Sequence, residues 1–152
     1  MMFKTHLAFG ILLGLIAIPY LNPGNVFLFI LIVGIAAGLP DLDSPDSKFG
    51  RKIKIIGWVF DHRGIFHSLI GTALFTVLVF AISRSIVYSA AFFIGYISHI
   101  IVDSFNKEGT MPLYPIKWRL RGFMKTGGLL ESVFFVGFLG AAGYMLLRNY
   151  LF

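Results

Sequence analysis

The chain has 152 residues, of which 57% are hydrophobic and only 13% are charged, and it contains no cysteine. Soluble domains are about 25% charged, and a fold of this length cannot bury so much apolar surface. The composition excludes a soluble globular domain, disulfides, thiolate metal sites and cysteine nucleophiles. It predicts one polytopic membrane domain over residues 1–152.

Five apolar segments predict an all-α membrane protein with about five transmembrane helices in a compact bundle. The expected spans cover residues 5–21, 25–40, 65–83, 86–103 and 129–148. A spanning helix needs about 20 apolar residues, and the first two segments reach that length only with their polar ends, so a shallow hairpin is their alternative. The first segment lacks a small-residue cleavage site and is expected to be a retained helix.

Basic residues concentrate on one side of this layout. The N-terminus and the two long connections, 40–64 and 103–128, hold eleven of the thirteen Lys and Arg residues, whereas Arg84 and Arg148 lie on the other side. Because basic loops stay in the cytoplasm, the N-terminus and both long loops are expected to be cytoplasmic in a multi-pass membrane protein.

Both long connections also contain Trp and Phe beside their basic residues, a pattern typical of segments at the lipid headgroups. Membrane lipids are therefore the expected partners, with an anionic lipid or a phosphoester as the substrate. The net charge of +6 accompanies no nucleic-acid-binding motif, so nucleic acid is not an expected partner. The oligomeric state is left open.

The histidines and aspartates all fall at the predicted cytoplasmic face, and Glu131 lies there too. They are His6, Asp41, Asp43, Asp46, Asp61, His62, His67, His99 and Asp103. His99 and Asp103 are four residues apart and so share one helix face, while the Asp-x-Asp at 41 and 43 suits a turn that aims carboxylates at cations. Because ionisable groups in membrane segments are costly and often functional, this pattern predicts a metal site.

Each of these residues also has an ordinary explanation. An aspartate can cap a helix, and a His–Asp pair can simply be hydrogen-bonded. An ion or proton pathway is another alternative, but transporters place polar groups near the midplane, and the outer halves of these helices carry no ionisable relay. His and carboxylate ligands without sulfur favour Zn, with Mn, Fe or Mg as alternatives, and about six ligands would suit two ions.

Four separated motifs carry a resemblance to a known family. They are "THLAFG" at 5–10, "GLPDLDSPDS" at 38–47, "HRGIFHSL" at 62–69 and "GYISHIIVDSFNKEGTMPLYP" at 95–115. They closely resemble the YdjM-like membrane-bound metal-dependent hydrolases, which include LexA-regulated inner-membrane proteins. That family is itself weakly similar to the zinc-dependent phospholipase C and P1 nuclease group.

The resemblance implies a ligand set and a reaction class. The matching metal positions are His6, Asp41, His67, His99 and Asp103, with Asp43 and His62 close behind. Asp43 or His62 would be a second-metal ligand or the general base. Apart from the resemblance, Arg63 beside His62 would bind the substrate anion, and a charge that sets membrane topology is an equal alternative for it.

The predicted function is metal-dependent hydrolysis of a phosphoester or phospholipid-like substrate at the cytoplasmic membrane surface. A non-catalytic metal-binding membrane protein, structural or regulatory, is the first alternative. An ion transporter is the second and less favoured one.

Overall fold

The computed structural model describes residues 1–43 and 64–150, together with the side chains of all but residues 43, 149 and 150. Five α-helices make up most of these two ranges. They are α1 (Phe3–Leu21), α2 (Val26–Gly38), α3 (Leu69–Ser83), α4 (Ile86–Ser104) and α5 (Leu129–Tyr150). The described ranges contain two isolated β-bridges and no β-strand. The predicted all-α fold class is confirmed.

Three of the described helices are long and apolar enough to cross a membrane, namely α1, α4 and α5. The apolar helices α2 and α3 have 13 and 15 residues, which is about 20 Å and about 22 Å of helix. Both are shorter than the hydrocarbon core of about 30 Å. A count of five complete spans therefore stays a prediction.

Two tight turns fold the first four helices into two hairpins. Asn22 ends α1 in a left-handed conformation (φ 43°), and the side chain of Asn25 accepts a hydrogen bond from the backbone N–H of Leu28 to cap α2. In the second turn Arg84 is left-handed (φ 52°), and Ser85 caps α4 in the same way as Asn25 caps α2. Each turn makes its two helices antiparallel neighbours that pack against each other.

A short 3-10 turn lies at the other end of each hairpin. Pro40–Asp43 follows α2, and Ile65–His67 precedes α3. The third helix was expected to begin at residue 65, but it begins at Leu69, because the Ser68 side chain accepts a hydrogen bond from the N–H of Gly71 and caps the helix there. His67 is therefore on the turn and not on the helix.

Helix α4 is the most buried helix, with α1, α2 and α3 packed around it. Its closest approach is to α2 at Gly95, where an added Cβ would overlap the carbonyl oxygen of Val33. Tyr96 is fully buried beside Ala36, and its hydroxyl donates to the carbonyl of Phe66 at 2.8 Å. This packing sets the distance between the C-terminal ends of α2 and α4.

The segment between α4 and α5 lies over the same end of the bundle. Its backbone pairs at Thr110 with Leu120, and Asn106 is buried with its side-chain amide donating to Thr126 at 2.7 Å. Five basic side chains of this segment are exposed, namely Lys107, Lys117, Arg119, Arg121 and Lys125. Trp118 and Phe123 are also more than half exposed.

Candidate metal centre

Five of the predicted ligands meet at the open ends of the two hairpins. His6 is on the first turns of α1, Asp41 is on the turn after α2, His67 is on the turn before α3, and His99 and Asp103 are on the last turns of α4. The three histidines are completely buried, Asp103 is 1% exposed, and the Asp41 side chain is 18% exposed. The predicted His/Asp cluster at the helix ends is confirmed.

The donor atoms of the cluster lie close together. His99 Nε2 is 3.3 Å from His67 Nε2, and His6 Nε2 is 3.3 Å from Asp103 Oδ1. The second carboxylate oxygen of Asp103 is 3.7 Å from both His67 Nε2 and His99 Nε2, and Asp41 Oδ1 is 3.6 Å from His99 Nε2. His99 belongs to two groups of three ligands, one with His6 and Asp103 and one with Asp41 and His67.

These spacings fit a shared cation better than direct hydrogen bonds. A charged N–H···O bond is about 2.7–2.9 Å long, whereas two donors each about 2.1 Å from one tetrahedral ion lie about 3.4 Å apart. His6 gives a second indication, because its two buried ring nitrogens make no hydrogen bond within the described chain. A buried polar group without a hydrogen-bond partner is rare, so the residues present could hold a metal ion.

A backbone carbonyl orients His99. The Nδ1 atom of His99 is 2.8 Å from the carbonyl oxygen of Ala37, and because a carbonyl can only accept, Nδ1 carries the proton. In the neutral ring the lone pair is then on Nε2, which faces the cluster. Such a bond to the second nitrogen is the usual outer support of a metal-binding histidine. Sequence reasoning missed Ala37, because a backbone carbonyl leaves no signal in the residue type.

A cation already contacts the cluster. The N-terminal amino group of Met1 donates to Asp103 Oδ1 at 2.6 Å, and both groups are almost fully buried. Asp103 therefore has a position for positive charge on the side of Oδ1. The pattern of polar residues gave no indication of this contact, because it joins the first residue to one 102 positions away.

Glu131 is a buried acidic residue in the first turn of α5, and its carboxylate holds the start of α1 in place through hydrogen bonds. Its Oε1 accepts from the backbone N–H of Met2 at 2.5 Å and from the hydroxyl of Thr5 at 3.1 Å, while Oε2 accepts from the N–H of Gly127 at 2.6 Å. Because α1 has no side-chain cap of its own, Glu131 supplies that function from another helix. Sequence reasoning placed Glu131 at the correct face but gave it no function.

Burial shifts the pKa of Asp41, the most exposed residue of the cluster. Burial is the main cause that raises the pKa of Asp41 above its ordinary value; the neighbouring His6 opposes this shift, and Asp103 adds to it. A metal ligand has to be deprotonated. A divalent cation beside Asp41 would stabilise the charged carboxylate that burial disfavours.

The structure does not describe the side chains of three predicted site residues, His62, Arg63 and Asp43. His62 and Arg63 lie outside the described residues, as do Asp46 and Asp61. The backbone of Asp43 ends the Pro40–Asp43 turn, but its side chain is also outside the described part. Their roles as general base, second-metal ligand and anion-binding group stay predictions.

Comparison with known proteins gives the family. The profile of the YdjM inner membrane protein family matches residues 1–150. The chain belongs to the YdjM inner membrane protein family. The resemblance to the YdjM family is therefore confirmed, whereas the metal-dependent hydrolase activity and the similarity to the phospholipase C and P1 nuclease group stay predictions. Together with the three long apolar helices, the match identifies a membrane protein.

Relatives extend over most of the chain. The "Uncharacterized protein YvsG" of Bacillus subtilis (strain 168) is 33% identical over 151 residues, covering 93% of this chain and 91% of the relative. The "Inner membrane protein YdjM" of Escherichia coli (strain K12) is 30% identical over 132 residues, covering 78% and 67%. The protein of the same name from Shigella flexneri gives the same values. No solved structure matches this member of the YdjM family.

Proposed function

We propose that this chain is a membrane-embedded metal-dependent hydrolase that cleaves a phosphoester or phospholipid-like substrate at the cytoplasmic membrane surface. The observation that carries the proposal is the buried cluster of three histidines and two aspartates, with donor atoms 3.3–3.7 Å apart. Without sulfur donors this set favours Zn, and Mn, Fe or Mg are the alternatives.

The residues divide into holding and reacting groups. His6, His67, His99, Asp41 and Asp103 would hold the metal, which when bound supplies a polarising charge and an activated water. Asp43 or His62 would act as a further ligand or as the general base that takes the proton of the attacking water. Arg63 would bind the anionic oxygens of the substrate in a bidentate manner.

Anionic lipid is the proposed partner because of the segment between α4 and α5. Five exposed cations and the exposed rings of Trp118 and Phe123 lie on the same segment. Cations attract anionic headgroups and aromatic rings anchor at the interface. This orientation would put the cluster at the cytoplasmic headgroups. A metal-dependent attack on a lipid phosphoester there would agree with the proposed similarity to zinc-dependent phospholipase C and P1 nuclease.

A non-catalytic metal centre is the second candidate, and one observation favours it. Within the described residues, His6, His67, His99 and Asp103 are each no more than 1% exposed, and only Asp41 has a side chain that solvent reaches. Structural metal sites are closed in this way, whereas catalytic sites keep one position open. Under this candidate the metal would fasten the four helix ends together.

Metal content is the first test. The full chain is purified in detergent and its metals are counted in the wild type, in His99→Ala and Asp103→Ala, and in the control Glu108→Ala, which removes an exposed carboxylate. We expect one or two bound ions per chain in the wild type and the control, and at least a tenfold loss of affinity in the two cluster variants. Equal trace metal in all four proteins would remove the basis of the proposal.

Activity separates the two candidates once metal is found. Hydrolysis of phospholipid and phosphodiester substrates is measured before and after chelation and after the metal is restored. We expect activity that disappears on chelation, returns with the metal and is absent in His99→Ala. If chelation lowers the stability of the protein but no hydrolysis is detected with metal bound, the result would support the non-catalytic centre.

A further inference from the structure

An apolar groove lies between α1 and α2, beside the metal cluster. Its walls are Phe3, Gly34, Ile35, Gly38, Leu39 and Leu42, and its volume is about 250 Å³. Gly34 and Gly38 are one helical turn apart: the Phe3 ring packs directly over Gly38 as one wall, and at Gly34 only the tip of the Leu7 side chain comes close. The wall residues offer apolar side chains or glycine, so the groove suits a hydrocarbon.

The groove and the cluster are built from the same short segments. Phe3 precedes His6 by three residues and so lies next to it on the same helix. Leu42 follows Asp41 on the Pro40–Asp43 turn, and Gly38 follows Ala37, whose carbonyl orients His99. An amphiphile with its apolar part in the groove would have its polar end at the most accessible ligand of the cluster, Asp41.

The outer rim of the groove continues an exposed apolar face of α2. Phe27, Leu31 and Ile35 follow one another at intervals of four residues on α2, and they are 78%, 46% and 58% exposed. In a membrane protein, an exposed apolar stripe of this kind contacts lipid chains. Ile35 belongs both to this stripe and to the groove, so a lipid chain can enter the groove sideways without leaving the bilayer.

We propose that the groove binds one acyl chain of a phosphate-bearing lipid whose headgroup lies at the metal cluster. This inference rests on the proposed metal-dependent function and names its substrate class as a lipid with a phosphate group next to its acyl chain. The groove selects for the chain, and the cluster selects for the phosphate. A water-soluble phosphoester offers the groove nothing to bind.

Photolabelling in reconstituted bilayers tests the proposal. The full chain is incubated with phosphatidic acid that carries a diazirine in one acyl chain, or with a diacylglycerol that carries the same group, each with and without zinc. The variant Gly34→Leu fills the groove, and Gly34→Ala fills it less, with only the tip of the Leu7 side chain close to the added methyl. Gly140→Leu is the matched control, because Gly140 is exposed on α5 with open space around it.

We expect labels to concentrate on the segment from Gly34 to Leu42. They should fall by about tenfold in Gly34→Leu, as when about two methylenes lose their buried contacts, by less in Gly34→Ala, and not in Gly140→Leu. Zinc should increase labelling by phosphatidic acid but not by diacylglycerol. Even labelling of all exposed helix faces, or labelling unchanged by Gly34→Leu, would overturn the groove as a specific site.

The two proposals fail in different ways. If the wild type binds no metal while labels still concentrate in the groove, the proposed metal-dependent function fails and the acyl-chain site remains. If metal binds but does not raise labelling by phosphatidic acid, the metal centre stands and the link between groove and cluster is overturned. The metal content of Gly34→Leu should be unchanged, and measuring it shows that a loss of labelling in this variant comes from the groove and not from a loss of metal.

Discussion

Glu131 illustrates how one buried carboxylate can organise a site to which it contributes no ligand. It accepts hydrogen bonds from Met2, Thr5 and Gly127, and so joins the start of α5 to the first turn of α1. His6 follows Thr5 directly on that turn. The position of one proposed ligand therefore depends on a residue 125 positions later in the chain, and the sequence contains no local signal of that dependence.

Replacing Glu131 by Gln tests this role. The amide group of Gln would face N–H donors that now meet a carboxylate, and a buried donor without an acceptor costs about 1–3 kcal/mol. We expect the midpoint of thermal unfolding in detergent to fall by roughly 2–4 °C for each kcal/mol, together with weaker metal binding. Lys117→Gln, at an exposed site, should leave both unchanged, and an equal fall in both variants would contradict the assignment.

The contact of His99 with Asp103 was predicted from the sequence, but the other contacts of this pair were not. Its spacing of four from Asp103 predicted a shared helix face, and the two side chains do lie together, 3.7 Å apart. The carbonyl of Ala37 beside His99 and the Met1 amino group beside its partner Asp103 were not predicted. Helix periodicity determines neighbours along one helix, whereas contacts between helices depend on packing that a pattern of residue types does not specify.

At the scale of the helix, the approach of α2 to α4 sets the geometry of the cluster. Gly95 leaves room for the backbone of α2 at Val33, and His99 lies one turn further along α4. Ala37 lies one turn beyond Val33 on α2. The bond between His99 and Ala37 therefore forms only if the two backbones meet at Gly95.

Gly95→Ala should separate these helices. The added methyl overlaps backbone atoms that cannot rotate away, and overpacking of this kind costs about 1–3 kcal/mol. We expect a lower unfolding midpoint and a loss of metal affinity. The control is Gly143→Ala on α5, where an added methyl meets open space and alanine is the better helix former by about 1 kcal/mol. A fall of similar size in the control would argue against a specific contact.

The helix boundaries show where sequence patterns are weak. Apolar content alone predicted a third span from residue 65 to residue 83, but the Ser68 cap divides this stretch into a 3-10 turn and a helix. The first segment shows the opposite deviation, since α1 begins at Phe3 and reaches 19 residues. Hydrophobicity identifies the core of a helix, while capping hydrogen bonds determine its ends.

For the whole molecule, the bundle places its two tight turns at one end and its ionisable cluster at the other. Residues 22–25 and 84–85 join the hairpins at the first end. The exposed cations between α4 and α5 lie in the segment that follows the cluster. The positive-inside rule then predicts that the cluster end faces the cytoplasm.

The absence of cysteine from the chain makes this orientation easy to measure. Single variants Gly24→Cys, Ser83→Cys and Lys117→Cys each carry one thiol at an exposed position. In right-side-out vesicles we expect a membrane-impermeant thiol reagent to label the first two, and to label Lys117→Cys only after the membrane is permeabilised. If Gly24→Cys and Lys117→Cys react from the same side, the hairpin of α1 and α2 does not cross the bilayer.

The two hairpins also determine when the cluster can form during synthesis. Each hairpin is closed by its own turn, but the five proposed ligands come from both, beginning with His6 and ending with Asp103. A nascent chain that has inserted only the first hairpin holds His6 and Asp41, which is too few donors for a stable ion. If the cluster holds a metal as proposed, loading follows the insertion of α4, and a chain that stalls before Asp103 does not acquire the centre.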